Sequence, residues 1–130
     1  MAATYLDSSA IVKLVVQEPE SAALRRYLRR RRPLISSALA RAEVLRVLLQ
    51  EGDSGIARGR AVLGRIVMIK VTDTILGAAG ALMPSDLRSR DAILRASAQL
   101  IGSDLGQVVT YDQRMLAGAH QLALKATSPR

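Results

Sequence analysis

Short apolar runs alternate along this chain with longer segments in which apolar residues recur at helical spacing. The apolar runs predict four strands and a fifth at the sheet edge, at residues 3–6, 34–36, 66–71, 107–110 and 123–126. The segments between them predict helices at about residues 8–16, 19–31, 37–51, 56–65, 73–82, 87–101 and 112–119. Strands separated by helices pair in parallel through right-handed crossovers. The pattern therefore predicts an α/β fold, a three-layer sandwich with a central, mostly parallel sheet of four to five strands flanked by helices.

The core of this fold has to be built from aliphatic side chains. Hydrophobic residues make up 49% of the 130 positions, but Phe and Trp are absent. A chain of this length can bury one core without disulfides, and it shows no linker or internal repeat, so residues 1–130 are predicted to form a single domain. Two helical segments carry broad apolar stripes, made of Leu39, Ala42, Leu45 and Leu49 in one and Ala92, Ile93, Ala96 and Leu100 in the other.

Composition and charge restrict the chemistry. The chain has no cysteine and one histidine, His120, which excludes disulfides, thiolate metal sites and multi-histidine sites. A net charge of +8 favours a polyanionic partner, of which nucleic acid is the commonest. No signal peptide or membrane span is evident, so a cytoplasmic protein without a membrane partner is expected.

Four acidic residues are exceptional in this basic chain. Asp7 and Asp112 each follow a predicted strand directly, whereas Glu43 and Asp91 border the apolar faces of helices. In open parallel sheets, binding sites form beyond the carboxyl ends of the strands. Several carboxylates at one such point supply the oxygen ligands that Mg²⁺ requires. A basic surface around a metal-filled acidic pocket would suit hydrolysis of a phosphodiester.

Each acid also has a purely structural explanation. Asp7 and Asp112 are good helix N-caps, and each considered singly is more often a cap than a ligand. Ion pairs could account for the other two acids, Glu43 with Arg41 or Arg46, and Asp91 with Arg88, Arg90 or Arg95. Taken together, the four acids favour the metal site.

The segments around these acids are similar to a known family. TYLDSSAIVKL, the Glu of ARAEVLRVL, LRSRDAILRASAQ and VVTYDQRML resemble the four motif blocks of PIN-domain ribonucleases. They resemble more closely the VapC-type toxins of bacterial type II toxin–antitoxin systems. The blocks occur in the family's order and spacing over nearly the whole chain, and D-x-S and T-Y-D-x-R make the set specific.

The resemblance implies a Mg²⁺-dependent endoribonuclease, with Mn²⁺ as an alternative ion, built on a PIN-like sandwich. It implies that Asp7, Glu43, Asp91 and Asp112 form the catalytic metal site, with Ser9 and Thr110 as supporting polar residues. It also implies a homodimer, an RNA substrate and a cognate VapB-type antitoxin, through which the complex binds promoter DNA. Many relatives have histidine where this chain has Leu94, a departure that bears on substrate choice.

Several positions keep more than one interpretation. Arg114 and Lys13 are candidates for substrate binding. The basic run from Arg25 to Arg32 is either a solvated helix end or a contact with RNA phosphates or an acidic partner.

Two other functions remain open. One is a PIN-like module that binds RNA without cutting it. The other is a phosphorelay receiver domain, which is disfavoured because Leu6, rather than a second acid, precedes Asp7.

Overall fold

Short segments, the first two of which are fully buried, form the strands of the sheet. The computed structural model describes residues 2–130; Met1 lies outside the described residues. The five strands in this range are β1 (Ala3–Leu6), β2 (Leu34–Ser37), β3 (Val67–Ile69), β4 (Leu105–Val109) and β5 (Ala126–Thr127).

Amphipathic segments between the strands form seven α-helices in residues 2–130. These are α1 (Ser8–Val15), α2 (Ser21–Leu28), α3 (Ala38–Leu48), α4 (Gly52–Leu63), α5 (Asp73–Gly80), α6 (Ser89–Ile101) and α7 (Gln113–Gln121). Short 3₁₀ turns follow α3 at Leu49–Glu51 and α6 at Gly102–Asp104. No helix in the described range is long and apolar enough to cross a membrane.

The strand order is β3-β2-β1-β4-β5, and all neighbouring strands pair in parallel. Residues at the ends of β1 and β4 are in register, with Leu6 opposite Val109. The order reverses direction between β1 and β4, since the chain first adds strands on one side of β1 and then on the other. Such a switch point opens a crevice at the carboxyl ends of the two strands. The predicted three-layer α/β sandwich is confirmed.

Successive residues of each strand contribute to opposite layers, because side chains alternate across a strand. Leu6 packs with α1, α2, α3 and α4, in a cluster that includes Ile11, Leu24, Val44 and Leu48. Tyr5 packs on the other face with α6 and α7, in a cluster that includes Leu94, Val108, Met115 and Ala119. A smaller cluster of Ile75, Ile93 and Ala96 joins α5 to α6. The site at the strand ends is therefore supported from both faces.

The predicted apolar stripes are wrong in part. In α3 the buried positions are Ala40, Val44 and Leu48, whereas Leu49 is 60% exposed and Ala42 is also exposed. Apolar residues surround most of this helix, so periodicity could not choose its inner face. In α6 the stripe extends over Ala92 to Leu94 and Ala96, but Leu100 is 65% exposed.

Several element bounds also differ from the prediction. Residues 52–55, which separate the helices predicted at 37–51 and 56–65, form the first turn of α4; the chain changes direction at Gly52, whose φ of 72° favours glycine. The helix expected at 19–31 is confined to Ser21–Leu28. The strand expected at 66–71 is shorter, and the edge strand expected at 123–126 begins three residues later, at Ala126, and ends at Thr127, because pairing with a neighbouring strand decides both.

Candidate functional site

The ends of β1 and β4 place two acidic residues, Asp7 and Asp112, at the same edge of the sheet. Asp7 follows β1 directly and caps α1, accepting a hydrogen bond from the Ala10 amide at 3.0 Å. Asp112 follows β4 and caps α7, accepting from the amides of Arg114 at 2.9 Å and Met115 at 3.2 Å. Both caps were predicted, and capping leaves the carboxylates at the carboxyl edge of the sheet.

Two hydroxyl groups link the Asp7 carboxylate to the backbone amides of Tyr111 and Asp112. Thr110 donates from Oγ1 to Oδ2 of Asp7 at 2.5 Å and accepts from the Asp112 amide at 3.0 Å. Ser9 donates from Oγ to Oδ1 of Asp7 at 2.6 Å and accepts from the Tyr111 amide at 2.9 Å. The two residues expected to support the acids therefore contact Asp7 directly.

The environment shifts the pKa values of the two carboxyl groups in opposite directions. Asp7 is 3% exposed, and burial raises its pKa above the ordinary value, although hydrogen bonds from Ser9 and Thr110 oppose the rise. Burial also acts to raise the pKa of Asp112, but the Met115 amide and the Arg88 charge outweigh it and hold that pKa below the ordinary value. An acid with a raised pKa in a polar crevice is a feature of functional sites.

Asp91 reaches this network through Arg88. The Arg88 guanidinium forms a fork with Asp91, from Nε to Oδ2 at 2.8 Å and from Nη2 to Oδ1 at 3.2 Å. Its Nη2 also lies 3.2 Å from Oδ1 and 3.1 Å from Oδ2 of Asp112. The Arg88 partner was one of the alternatives predicted for Asp91. Arg88 thus ties the first turn of α6 to the start of α7.

Glu43 reaches the network through Arg90. The guanidinium donates from Nη2 to Oδ2 of Asp112 and from Nη1 to Oε2 of Glu43, the latter at 3.4 Å. Glu43 and Arg90 line one small cavity with Asp7, and a neighbouring open cleft with Asp112 and Ser9. The ion pairs predicted for Glu43, with Arg41 or Arg46, do not form in the described chain, where its partner is Arg90.

Sequence reasoning missed Arg88 and Arg90 as members of the site. It treated them only as alternative partners of Asp91. The available signal was their position two residues apart in RSRD, beside an acid of the constellation. Nothing in the sequence says that either arginine reaches Asp112.

The donor set fits a hard divalent ion, although the carboxylates do not converge as they stand. Within residues 2–130, no three acids or histidines are close enough together to hold a metal. The guanidinium groups of Arg88 and Arg90 lie between the carboxylates instead. Because carboxylates repel one another, a cation is needed among them, and protein cations take that role here. The oxygen atoms of four carboxylates and two hydroxyls match Mg²⁺ or Mn²⁺.

The candidate substrate-binding residues lie in different surroundings. Arg114 is exposed on the first turn of α7, beside Asp112. Lys13 pairs with Glu18 at 3.4 Å and Glu20 at 3.3 Å, with its Nζ 4.8 Å from the centre of the Tyr111 ring.

Leu94 and the basic run take no part in the carboxylate network, although Leu94 lines a small pocket with Asp91. Leu94, where many relatives have histidine, is 2% exposed and packs in the cluster under α6 and α7. From the basic run, Arg25, Arg29 and Arg32 line a pocket with Arg65 and the apolar residues Leu34 and Ile66. Leu34 begins β2 and Ile66 precedes β3, so this pocket lies at the opposite end of the sheet from the acids.

Comparisons with known proteins agree with this architecture. The family model of the PIN domain matches residues 4–120. The chain is 54% identical to ribonuclease VapC46 of Mycobacterium tuberculosis, over 99% of both chains. It is 35% identical to ribonuclease VapC47 of the same species, over 96% of each. Its fold is similar to that of a toxin–antitoxin complex from Klebsiella pneumoniae, with a TM-score of 0.73, 22% identity and 98% of each chain covered.

Proposed function

Because this chain belongs to the PIN-domain family, and within it to the VapC ribonucleases, we propose that it is a Mg²⁺-dependent endoribonuclease and a toxin. Mn²⁺ can take the place of Mg²⁺. The substrate is RNA, whose phosphodiester bonds are hydrolysed. The observation that carries the proposal is the network of four carboxylates and two hydroxyls at the β1–β4 switch point.

The four acids have distinct parts in this proposal. Asp7, Glu43, Asp91 and Asp112 would hold the metal ion, which when bound supplies an activated water and stabilises the charge that develops on the phosphate. Ser9 and Thr110 hold the Asp7 carboxylate in one orientation, with a donor on each oxygen. This carboxylate is therefore oriented before an ion arrives, which lowers the cost of binding.

Basic residues at the mouth of the crevice would hold the RNA. Arg114 projects from the turn that Asp112 caps, and a guanidinium matches the geometry of a phosphate. Lys13 contacts Tyr111, which lines the open cleft, and is proposed as a second cation on the RNA path. The net charge of +8 agrees with such a substrate.

Purified protein provides the direct test. We expect it to cleave single-stranded RNA or RNA loops in Mg²⁺ or Mn²⁺, and EDTA to stop cleavage. Asp7→Asn keeps the cap and the side-chain shape, so it should lose most cleavage and remain folded by circular dichroism. Asp53→Asn removes the same charge from an exposed position of α4 and should cleave normally. Full cleavage by Asp7→Asn would overturn the metal-site assignment.

Binding without cleavage is the outcome expected of a silent PIN-like module. In that case RNA would shift in a gel but stay intact in either metal. The receiver-domain alternative is contradicted by topology, because receivers have the strand order 2-1-3-4-5 and this sheet has β3-β2-β1-β4-β5.

We also propose a homodimer and a VapB-type antitoxin as partners. The structural similarity to a toxin–antitoxin complex supports the antitoxin. Exposed apolar side chains on α5 and after it, at Leu76 and Met83, support a second copy. Light scattering that finds only the 14.0 kDa species at micromolar concentration would contradict the dimer. Co-expression with a short DNA-binding protein from the adjacent reading frame should suppress cleavage, and the complex should bind promoter DNA only with that protein.

A further inference from the structure

We propose that Arg90 is a displaceable internal counter-ion of the carboxylate site. Without metal, its guanidinium occupies the space between Glu43 and Asp112, and a divalent ion has to displace it in order to bind. The inference rests on the proposed function, because it concerns the same metal site.

The oxygens of Asp112 show why metal and arginine compete. Oδ1 accepts from the amides of Arg114 and Met115 and from Arg88. Oδ2 is in contact with Arg88 at 3.1 Å and with Nη2 of Arg90. A carboxylate oxygen has about two lone-pair positions, so both oxygens are fully used. An ion therefore gains an Asp112 ligand only when an arginine contact is lost.

Of the two arginines, Arg90 makes fewer hydrogen bonds to the acids. Arg88 binds Asp91 through two hydrogen bonds in a bidentate geometry, which is stronger and more specific than a single contact. Arg90 makes one close contact, with Asp112, and one contact with Glu43 that is long at 3.4 Å. Its Nε is buried and has no hydrogen-bond partner within the described chain, a condition that costs free energy. Moving Arg90 toward water would restore a partner to Nε, so Arg90 is the one that gives way.

The space at the site and its formal charge also indicate that Arg90 is the residue displaced. The cavity that Arg90 closes beside Asp7 and Glu43 has a volume of about 10 Å³, on the order of one water molecule. A partly hydrated ion does not fit in this cavity. The open cleft beside it has room, with about 380 Å³, but there Arg90 still holds the candidate ligands Glu43 and Asp112. Four carboxylates with two guanidinium groups carry a formal charge of −2, and departure of Arg90 makes it −3. The divalent ion thus replaces a monovalent cation with a higher charge.

Two consequences follow from the competition. The metal-free protein is stabilised because Arg90 neutralises acids that would otherwise repel. The affinity for metal is lower than the acids alone would provide, by the free energy of the Arg90 contacts. Replacing Arg90 with a neutral residue should therefore destabilise the metal-free protein and increase its affinity for metal. If Arg90 only supported the fold, the same replacement would lower both the stability and the metal affinity.

Mn²⁺ binding to the full chain, measured by electron paramagnetic resonance without RNA, tests the inference. Arg90→Gln should lower the dissociation constant for Mn²⁺ about five-fold, or about 1 kcal/mol. Its melting temperature in EDTA should fall, and the rise in melting temperature on adding Mn²⁺ should exceed that of the wild type. Arg90→Lys keeps the positive charge and should stay within about two-fold of the wild-type constant.

Arg41→Gln is the matched control for net charge. Arg41 is exposed on α3, two residues before Glu43, and forms no ion pair in residues 2–130. The Arg41→Gln variant should keep the Mn²⁺ dissociation constant within about two-fold of the wild-type value. It therefore separates the local competition at Arg90 from the effect of the protein's net charge. If Arg90→Gln leaves Mn²⁺ affinity unchanged or weakens it, the inference is wrong. If the wild type binds no Mn²⁺ at all, the proposed function fails instead.

Discussion

The Thr110 hydroxyl donates to the buried Asp7 carboxylate at 2.5 Å, across a separation of 103 residues in the chain. The same oxygen accepts from the Asp112 amide, so one side chain fixes the positions of two acids on neighbouring strands. Their relative placement thus depends on Thr110 as well as on the sheet.

Thr110→Val keeps the shape of this side chain and removes the hydroxyl. The Asp7 carboxylate and the Asp112 amide each lose a partner in a buried place, so unfolding free energy should fall by about 1–3 kcal/mol. Cleavage should fall as well, because Oδ2 of Asp7 loses the donor that holds it, although Ser9 and the Ala10 amide still hold Oδ1. Urea denaturation and RNA cleavage check both effects. Thr127→Val on β5 is the control, since its hydroxyl lies outside this network, and it should change stability by less than about 0.5 kcal/mol.

The raised pKa of Asp7 predicts a pH dependence of stability. Between the ordinary pKa and the raised pKa, the folded protein binds a proton that the unfolded chain does not, so Asp7 makes stability fall as pH rises through this window. Asp7→Asn is neutral throughout. The stability of Asp7→Asn relative to wild type should therefore increase with pH across the window and stay constant above it.

Urea denaturation from pH 3.5 to 8, in EDTA, measures this difference, with pH limits set at about the ordinary carboxyl pKa and neutrality. Other acids titrate in both proteins and cancel in the comparison. A difference that is flat or decreases with pH would show that Asp7 is not buried as an acid with a raised pKa.

Arg88 and Asp91 form the most buried ion pair of the site. Arg88→Met keeps much of the side-chain length but leaves the Asp91 carboxylate, 7% exposed as a residue, without its fork. We expect a loss of about 1–3 kcal/mol, less than for a fully buried pair, because the Arg88 side chain is 28% exposed. Thermal and urea unfolding measure it. Arg58→Met, on the exposed face of α4, should cost less than about 0.5 kcal/mol.

Close packing of α4 on α3 depends on a glycine. A Cβ added at Gly59 would meet Cδ1 of the fully buried Leu48 at 2.2 Å, so Gly59→Ala should destabilise the protein by about 1–3 kcal/mol. Gly77 in α5 has no atom within 4 Å of an added Cβ. Gly77→Ala should raise stability by about 0.5–1 kcal/mol, because alanine favours the helix. A lower melting temperature for Gly59→Ala and a higher one for Gly77→Ala would confirm the close packing of α4 on α3. Equal shifts for the two variants would contradict it.

Local pattern was sufficient for the layer order and for the placement of two acids. Asp7 and Asp112 come shortly after strands in the sequence, and the carboxyl ends of parallel strands lie at one edge of the sheet. It could therefore be predicted that the two acids lie at the same edge. The caps could be predicted in the same way, because a cap involves residues two or three apart. The resemblance to PIN-domain proteins added the roles of Ser9 and Thr110, whose contacts with Asp7 are now seen.

The inner face of α3 and the start of α4 could not be predicted, because both depend on what packs against them. Leu48 is buried since it meets Gly59, and Leu49, its neighbour, is left exposed. An apolar helix offers several equivalent faces, and only the partner helix chooses between them.

The sequence by itself determined that a basic, cysteine-free α/β chain brings carboxylates to the edge of a parallel sheet. Only the tertiary structure decided which cations neutralise them. Arg88 reaches Asp112 across 24 residues, and Arg90 reaches Glu43 across 47. Several arginines of equal charge lie near each acid in the sequence, so charge alone does not identify the partner. The packing of α6 in the fold determines which arginine reaches which acid.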